Sequence, residues 1–364
     1  MKSIDVHTHI LPSPRRWLKL SERFGYGGFV SLQELAERNA RGCCQANMMV
    51  DGRLFRVIED NCWDAAQRIR ECDQHGEGGV GVQVLSTVPV MFCYWARPRH
   101  TADIARWLND DLAETCRAHP ERFVGLGTLP MNDPDAAVGE LERCVNELGF
   151  AGVQIGTNVN GTELGDPSLR PVFAAAERLG ACVFVHPWEM IGARHRHRQE
   201  PPAPPEMTER YKKFWGAWLV GMPAETCLAL CSVLCGGVLA ALPRLRIGFA
   251  HGGGSFAGTI GRIEHGYRAR PDLCATECPV SPRAQVERGA VYVDSLVHDA
   301  ESLRALVRLF GAGRVMLGSD YPFPLGEDRP GELVRDAGLD AGSQARLLRR
   351  TAAEFLGRRA PLER

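Results

Sequence analysis

Short β-rich apolar runs alternate with stretches of helical period from one end of the chain to the other, and this alternation constrains the fold more than any other feature. The runs fall at residues 3–9, 80–87, 123–129, 151–156, 181–186, 245–251, 290–295 and 314–320. Helical patterns occupy residues 102–118, 134–148, 169–179, 224–241 and 300–310, and Asp133 before Pro134 supplies an N-cap followed by a first-turn proline. Eight strands with crossover helices predict a (β/α)8 TIM barrel of the α/β class. One such domain of about 250 residues, enlarged by insertions, accounts for all of residues 1–364. Two stretches exceed a minimal barrel. Residues 11–60, rich in Gly and Arg, are expected to form a small insertion or lid after strand one, and residues 194–207, RHRHRQEPPAPPEM, an exposed proline-rich loop.

Charge and hydropathy narrow the class of partner. A net charge of −1, with 24% charged residues, argues against a general nucleic-acid binder. The opening residues MKSIDVH lack the unbroken apolar run of a signal peptide. The most apolar window, residues 227–242, is interrupted by Gly236 and Gly237 and is too short to span a bilayer. These features predict a cytoplasmic protein with a small-molecule partner, no nucleic acid and no membrane segment. The 13 cysteines are odd in number and contain no CxxC pair, so they are expected to be reduced. Cys227, Cys231 and Cys235 lie four apart, a helical packing stripe rather than a metal site.

In a barrel, inward side chains alternate along each strand and reactive groups gather at the C-terminal strand ends. His7 and His9, two apart at the end of the first run, share one face; His186 closes the fifth in FVHP, His251 the sixth in FAHGGG and Asp320 the eighth in LGSDYPFP. Five potential ligands therefore converge. Imidazoles with one carboxylate suit zinc, one ion per subunit, with a position open for water. His251 is the candidate base for that water. Asp5 and Asp294 are expected to support a liganding histidine rather than to bind metal. Gly252, Gly253 and Gly254 either let backbone approach the site or make a tight strand-to-helix turn. The rival pair His195 and His197 lies among arginines and prolines without strand period and reads as a solvated loop. Trp188 and Phe323 are candidate pocket walls, to which Trp215 or Trp218 contributes.

Around these residues the chain resembles the aminocarboxymuconate semialdehyde decarboxylase family of the amidohydrolase superfamily. The similar segments include DVHTHILP, RFGYGGFV, DGRLFRVIEDNCWD, VQVLSTVPVMFCYWARP, GFAGVQIGTNVNG, FVHPWEM, WLVGMPAETC, FAHGGGSFAGTIGRIEHGYRARPDLC and LGSDYPFPLGE. The metal motifs are shared across the superfamily, whereas RFGYGG, DGRLFR and STVPVMFCYW are narrower signals. The resemblance implies a zinc held by His7, His9, His186 and Asp320, with His251 as the base acting on its water. It implies nonoxidative decarboxylation of 2-amino-3-carboxymuconate-6-semialdehyde to 2-aminomuconate semialdehyde in tryptophan catabolism by the kynurenine route. It also implies that Arg56 and Arg262 hold substrate carboxylate, Arg262 reaching over from the neighbouring subunit of a homodimer. The alternative for the same centre is a zinc hydrolase acting on a lactone or amide, and the two arginines favour the carboxylated substrate. A noncatalytic barrel would be marked by loss of a ligand, and none is missing.

Overall fold

In the computed structural model, which describes residues 2–74, 76–191, 193–194 and 200–360, eight parallel strands form one sheet. In chain order they are β1 Ser3–Ile10, β2 Val80–Thr87, β3 Phe123–Thr128, β4 Gly152–Gly156, β5 Cys182–His186, β6 Arg246–Phe249, β7 Tyr292–Asp294 and β8 Val315–Met316. Each pairs with the next. The ends of the sheet meet through the chain that follows β8: Leu317 O accepts from Val6 N at 2.9 Å, His7 O from Asp320 N at 2.9 Å and Tyr321 O from His9 N at 2.8 Å. Helices such as Pro98–Ala118, Pro134–Asn146, Arg170–Leu179, Met222–Cys235 and Ala300–Phe310 return the chain between strands. The barrel expected from the eight runs is the observed architecture, and Asp133 caps its helix by accepting from Ala136 N at 3.2 Å.

β6, β7 and β8 are each well short of the expected runs, β7 keeping Tyr292–Asp294 of 290–295. The sixth ends at Phe249 because the chain turns at Ala250 into a 3-10 turn, His251–Gly253, with His251 at φ 55°. The eighth ends at Met316, after which the backbone runs tightly across β1 and β7. A Cβ on Gly318 would stand 2.7 Å from Asp294 Cβ and 2.9 Å from His7 Cβ, so only glycine passes there. The helix expected over 224–241 is also divided, since Gly237 at φ 70° interrupts it before Val238–Ala241. Upstream, the helical run Ala217–Cys235, with a mean hydropathy of 1.6, is by length and composition alone long enough to cross a membrane. Ala229, Leu230, Val233 and Leu234 of this run are fully buried in the main core.

Residues 11–60 are not a simple loop. They contain an antiparallel meander, Val30–Glu34, Gln45–Val50 and Arg53–Glu59. Asp51 and Gly52, both at positive φ (47° and 74°), form the two-residue turn of its second hairpin. Ala46, Met48 and Ile58 bury one face of this sheet against Leu11, Phe29, Met91 and Ile104. The insertion thereby stands over the C-terminal end of the barrel. In the proline-rich stretch, Ala193–Arg194 pairs antiparallel with Glu206–Met207, and Glu200 meets Arg97 at 2.6 Å. His195 and His197 lie outside the described residues.

Candidate metal centre

Strand geometry delivers the first three histidines. His7 and His9 project from the same face of β1, and His186 ends β5. Their imidazoles pack edge to face, with ring centroids 4.9–5.1 Å apart. Each has its Nδ1 anchored: His7 to Asp294 Oδ2 at 2.7 Å, His9 to the Thr87 carbonyl at 3.0 Å and His186 to the Pro187 carbonyl at 2.9 Å. With Nδ1 donating, each Nε2 presents a lone pair. All three Nε2 atoms are buried without a hydrogen-bond partner.

The other two groups come from turns. Asp320, at φ 58°, places Oδ1 3.0 Å from His9 Nε2 and 3.4 Å from His7 Nε2. His251 turns its Nε2 toward Asp320 Oδ2 at 3.9 Å, while its Nδ1 has no partner among the described residues. Both residues occupy the left-handed region that costs a non-glycine residue about 1–3 kcal/mol. The donor atoms of His7, His186, His251 and Asp320 all lie within 4.8 Å of one another, and His9 joins them through Asp320. All five residues singled out in the sequence are thus gathered at one point.

Charge explains why such a cluster suits a cation. Burial would push Asp294 and Asp320 upward, yet the His7 hydrogen bond and charge hold Asp294 below, and the facing His251, His7 and His9 imidazoles hold Asp320 well below, the ordinary carboxylate value. Burial pushes His9 down and His186 well down. His7 goes the other way: burial opposes its charge, but Asp294 and Asp320 together raise it to about 10. With His7 giving up its proton, as a liganding imidazole must, three lone pairs and two buried carboxylates, Asp294 and Asp320, face the cluster, and a divalent cation there would balance the two negative charges. The donor set fits a metal ion.

Asp294 and Asp5 support this point from below. Asp294 also accepts from His251 N at 3.0 Å and Gly252 N at 2.7 Å, so it ties a liganding histidine to the His251 turn. Asp5 touches no imidazole. It accepts from the His7 backbone at 3.2 Å and from Ser319 Oγ at 2.5 Å, joining β1 to the turn that carries Asp320, and burial pushes it up to about 6. Glycine 254 serves the turn and packing, since a Cβ there would stand 2.1 Å from the Pro223 carbonyl.

Above the cluster lies a cavity of about 490 Å³ walled by Met48, Phe55, Arg56, Trp188, Trp215, Trp218, Met222, Leu296 and Phe323, with His9, His186, His251 and Asp320 at its base. Trp188, Phe323 and both further tryptophans are walls, as the sequence suggests; Phe55, Met48 and Met222 were not foreseen. The Asp51–Gly52 hairpin signal would have shown that Phe55 and Arg56 belong to a strand. Arg56 lies 4.7 Å from the Phe323 ring centroid and 5.5 Å from that of Phe55. It makes no ion pair with a described residue, and burial pushes its guanidinium downward. Arg262 is exposed on helix Phe256–Ala269, one turn beyond the cavity-lining Gly258, and does not itself reach the cavity of its own chain.

Comparison with known proteins shows the family and the fold. An amidohydrolase family profile matches residues 4–358. A Dictyostelium discoideum protein named 2-amino-3-carboxymuconate-6-semialdehyde decarboxylase is 51% identical over 355 residues, covering 97% of this chain and 91% of that one. A Caenorhabditis elegans protein of the same name is 38% identical, covering 92% and 89%. Among solved structures, a 5-carboxyvanillate decarboxylase from Novosphingobium aromaticivorans, complexed with manganese and 4-hydroxy-3-methoxy-5-nitrobenzoic acid, superposes with a TM-score of 0.74 at 20% identity, covering 98% and 96%.

Proposed function

The chain belongs to the amidohydrolase family as one of its metal-dependent decarboxylases, and from that premise we propose that it is a zinc enzyme converting 2-amino-3-carboxymuconate-6-semialdehyde to 2-aminomuconate semialdehyde and carbon dioxide in the kynurenine route of tryptophan catabolism. The observation that carries this reading is the cavity itself: three Nδ1-anchored imidazoles and Asp320 at its base, and an unpaired guanidinium, Arg56, in its wall.

His7, His9, His186 and Asp320 would hold the ion. Liganding histidines donate their second ring N–H to a fixed acceptor, and His7, His9 and His186 do so while His251 does not. That difference supports the reading of His251 as the proton-transferring group rather than a ligand. Zinc, when bound, supplies Lewis acidity and a nucleophilic water near neutral pH. Arg56 meets the substrate carboxylate with a planar fork of donors. Loss of carbon dioxide leaves an electron pair on the substrate, and the proton that fills it comes from His251, so no oxidant enters the balance. The aromatic walls exclude water and keep the charged contacts strong.

Two further parts of the proposal concern assembly and location. Gly258 and Gly261 sit inside helix Phe256–Ala269, and a Cβ on either would meet nothing within 4 Å. Each costs the helix about 1 kcal/mol relative to alanine, so close approach by a second chain is a physical reason for both. Phe214 (91% exposed) and Val220 (63%) add apolar surface beside the mouth. These features support a homodimer in which Arg262 enters the partner's cavity. The 13 free thiols suit a reducing, cytoplasmic setting.

Mass spectrometry of the product of the muconate semialdehyde tests the reaction. Loss of one carbon dioxide is expected; addition of water with the carboxylate retained would instead assign a hydrolase.

A further inference from the structure

Arg68 is fully buried on helix Ala65–Asp73, and no carboxylate of the described residues forms an ion pair with it. A guanidinium removed from water and left without a counter-ion is costly unless its donors are satisfied. Here Nε and Nη1 are satisfied by oxygens of three separate elements, while Nη2 is buried with no hydrogen-bond partner among the described residues. Nη1 donates to the His9 carbonyl at 2.6 Å and to the Asn61 carbonyl at 3.0 Å, and Nε donates to Gln83 Oε1 at 3.1 Å. The carbon of the guanidinium lies 4.7 Å from the centroid of the Tyr321 ring. Tyr321 follows Asp320 directly, and its hydroxyl is hydrogen-bonded to Glu71.

The position matters because of how the barrel closes. Seven strand pairs are joined by ladders, whereas β1 meets the chain after β8 through the single bridge Thr8–Tyr321 and three main-chain hydrogen bonds. His9 and Asp320 face one another across that seam at 3.0 Å. With so little ladder there, main-chain pairing alone fixes their separation weakly. Arg68 grips the carbonyl of one and the neighbour of the other.

We infer that Arg68 is a positioning residue for the metal centre: its guanidinium clamps the His9 carbonyl against the Tyr321 ring and so sets the spacing of His9 and Asp320 across the barrel seam. The inference rests on the assignment of His9 and Asp320 as ligands. Lysine in its place keeps the charge but lacks the planar fork, so it reaches fewer of the acceptors and stacks poorly on Tyr321.

The test uses the full-length protein loaded with cobalt, whose visible absorption reports ligand geometry. Arg68→Lys is expected to change that spectrum, to weaken cobalt binding in chelator competition by about ten- to a hundredfold, and to lower kcat while KM stays within about twofold. A variant that folds, melts at lower temperature as apoprotein, and yet keeps the wild-type spectrum and affinity would show a packing role only and overturn the inference. Tyr321→Leu removes the ring but leaves the three hydrogen bonds of Arg68. If Arg68→Lys fails to fold, this variant decides: weaker cobalt binding supports the clamp and wild-type affinity overturns it. Wild-type protein that binds no cobalt would instead remove the ligand assignment, and the clamp with it.

Discussion

Asp294 holds His7 from behind, its Oδ2 accepting the Nδ1 hydrogen at 2.7 Å with both side chains fully buried. The same carboxylate takes the backbone N–H groups of His251 and Gly252. One side chain thus fixes both the proposed ligand His7 and the turn of the proposed base His251. Asp294→Asn is expected to weaken zinc binding about ten- to a hundredfold and, at saturating zinc, still to lower kcat, because the His251 turn loses its anionic anchor. Chelator competition and activity at saturating metal check the two effects separately. Wild-type zinc affinity in this variant would detach Asp294 from the centre.

His251 and His186 should respond differently to removal. His251→Ala is expected to retain its zinc and lose about 10²- to 10⁴-fold in kcat, the usual contribution of a proton-transferring group. His186→Ala should lose the metal as well. Metal content after gel filtration separates the roles, and equal loss of zinc in both variants would place His251 among the ligands.

The histidines on β1 and β5 are readable in the sequence because strand alternation fixes where every second side chain points. His251 and Asp320 are a different case. The expected strands 245–251 and 314–320 outrun the observed ends, Phe249 and Met316, and both residues sit on turns at positive φ. Their residue types identified them although the assumed backbone did not. The anchors of His9 and His186 are main-chain carbonyls, which residue type cannot reveal. Arg56 is placed by the hairpin turn at Asp51–Gly52, a local signal that DGRLFR carries. The proposed role of Arg262 needs a second chain, since on its own chain the residue lies outside the cavity lining. Arg68 carries no motif, and only the closed barrel shows what it touches.

Arg56→Ala and Arg262→Ala should each raise KM or lower kcat/KM by about tenfold or more, the worth of a charged hydrogen bond. Mixing the two impaired chains under subunit exchange is expected to restore up to half the wild-type activity per heterodimer, since one site then holds both arginines. No recovery after verified exchange would confine Arg262 to its own chain or to the surface.

Burial pushes Glu225 up to about 7, and burial together with the Glu225 charge pushes Glu189 up to about 8. Folded values above the unfolded one mean that their contribution to stability is complete below about pH 4.5 and is lost as pH rises through the folded values. Glu225→Gln cannot ionise. In metal-free protein its melting temperature relative to wild type should therefore rise between about pH 5 and pH 8, by several degrees for a difference of up to about 3 kcal/mol. Parallel melting curves across that range would show that the Glu225 carboxyl is not held neutral in the fold.

Zinc titration of the stripped wild-type protein tests the proposed centre most directly. Activity on the muconate semialdehyde, followed as carbon dioxide released, should be absent without metal, rise linearly with added zinc and break at one equivalent per chain. Full activity in stripped protein, or a zinc-loaded protein that releases no carbon dioxide, would contradict it.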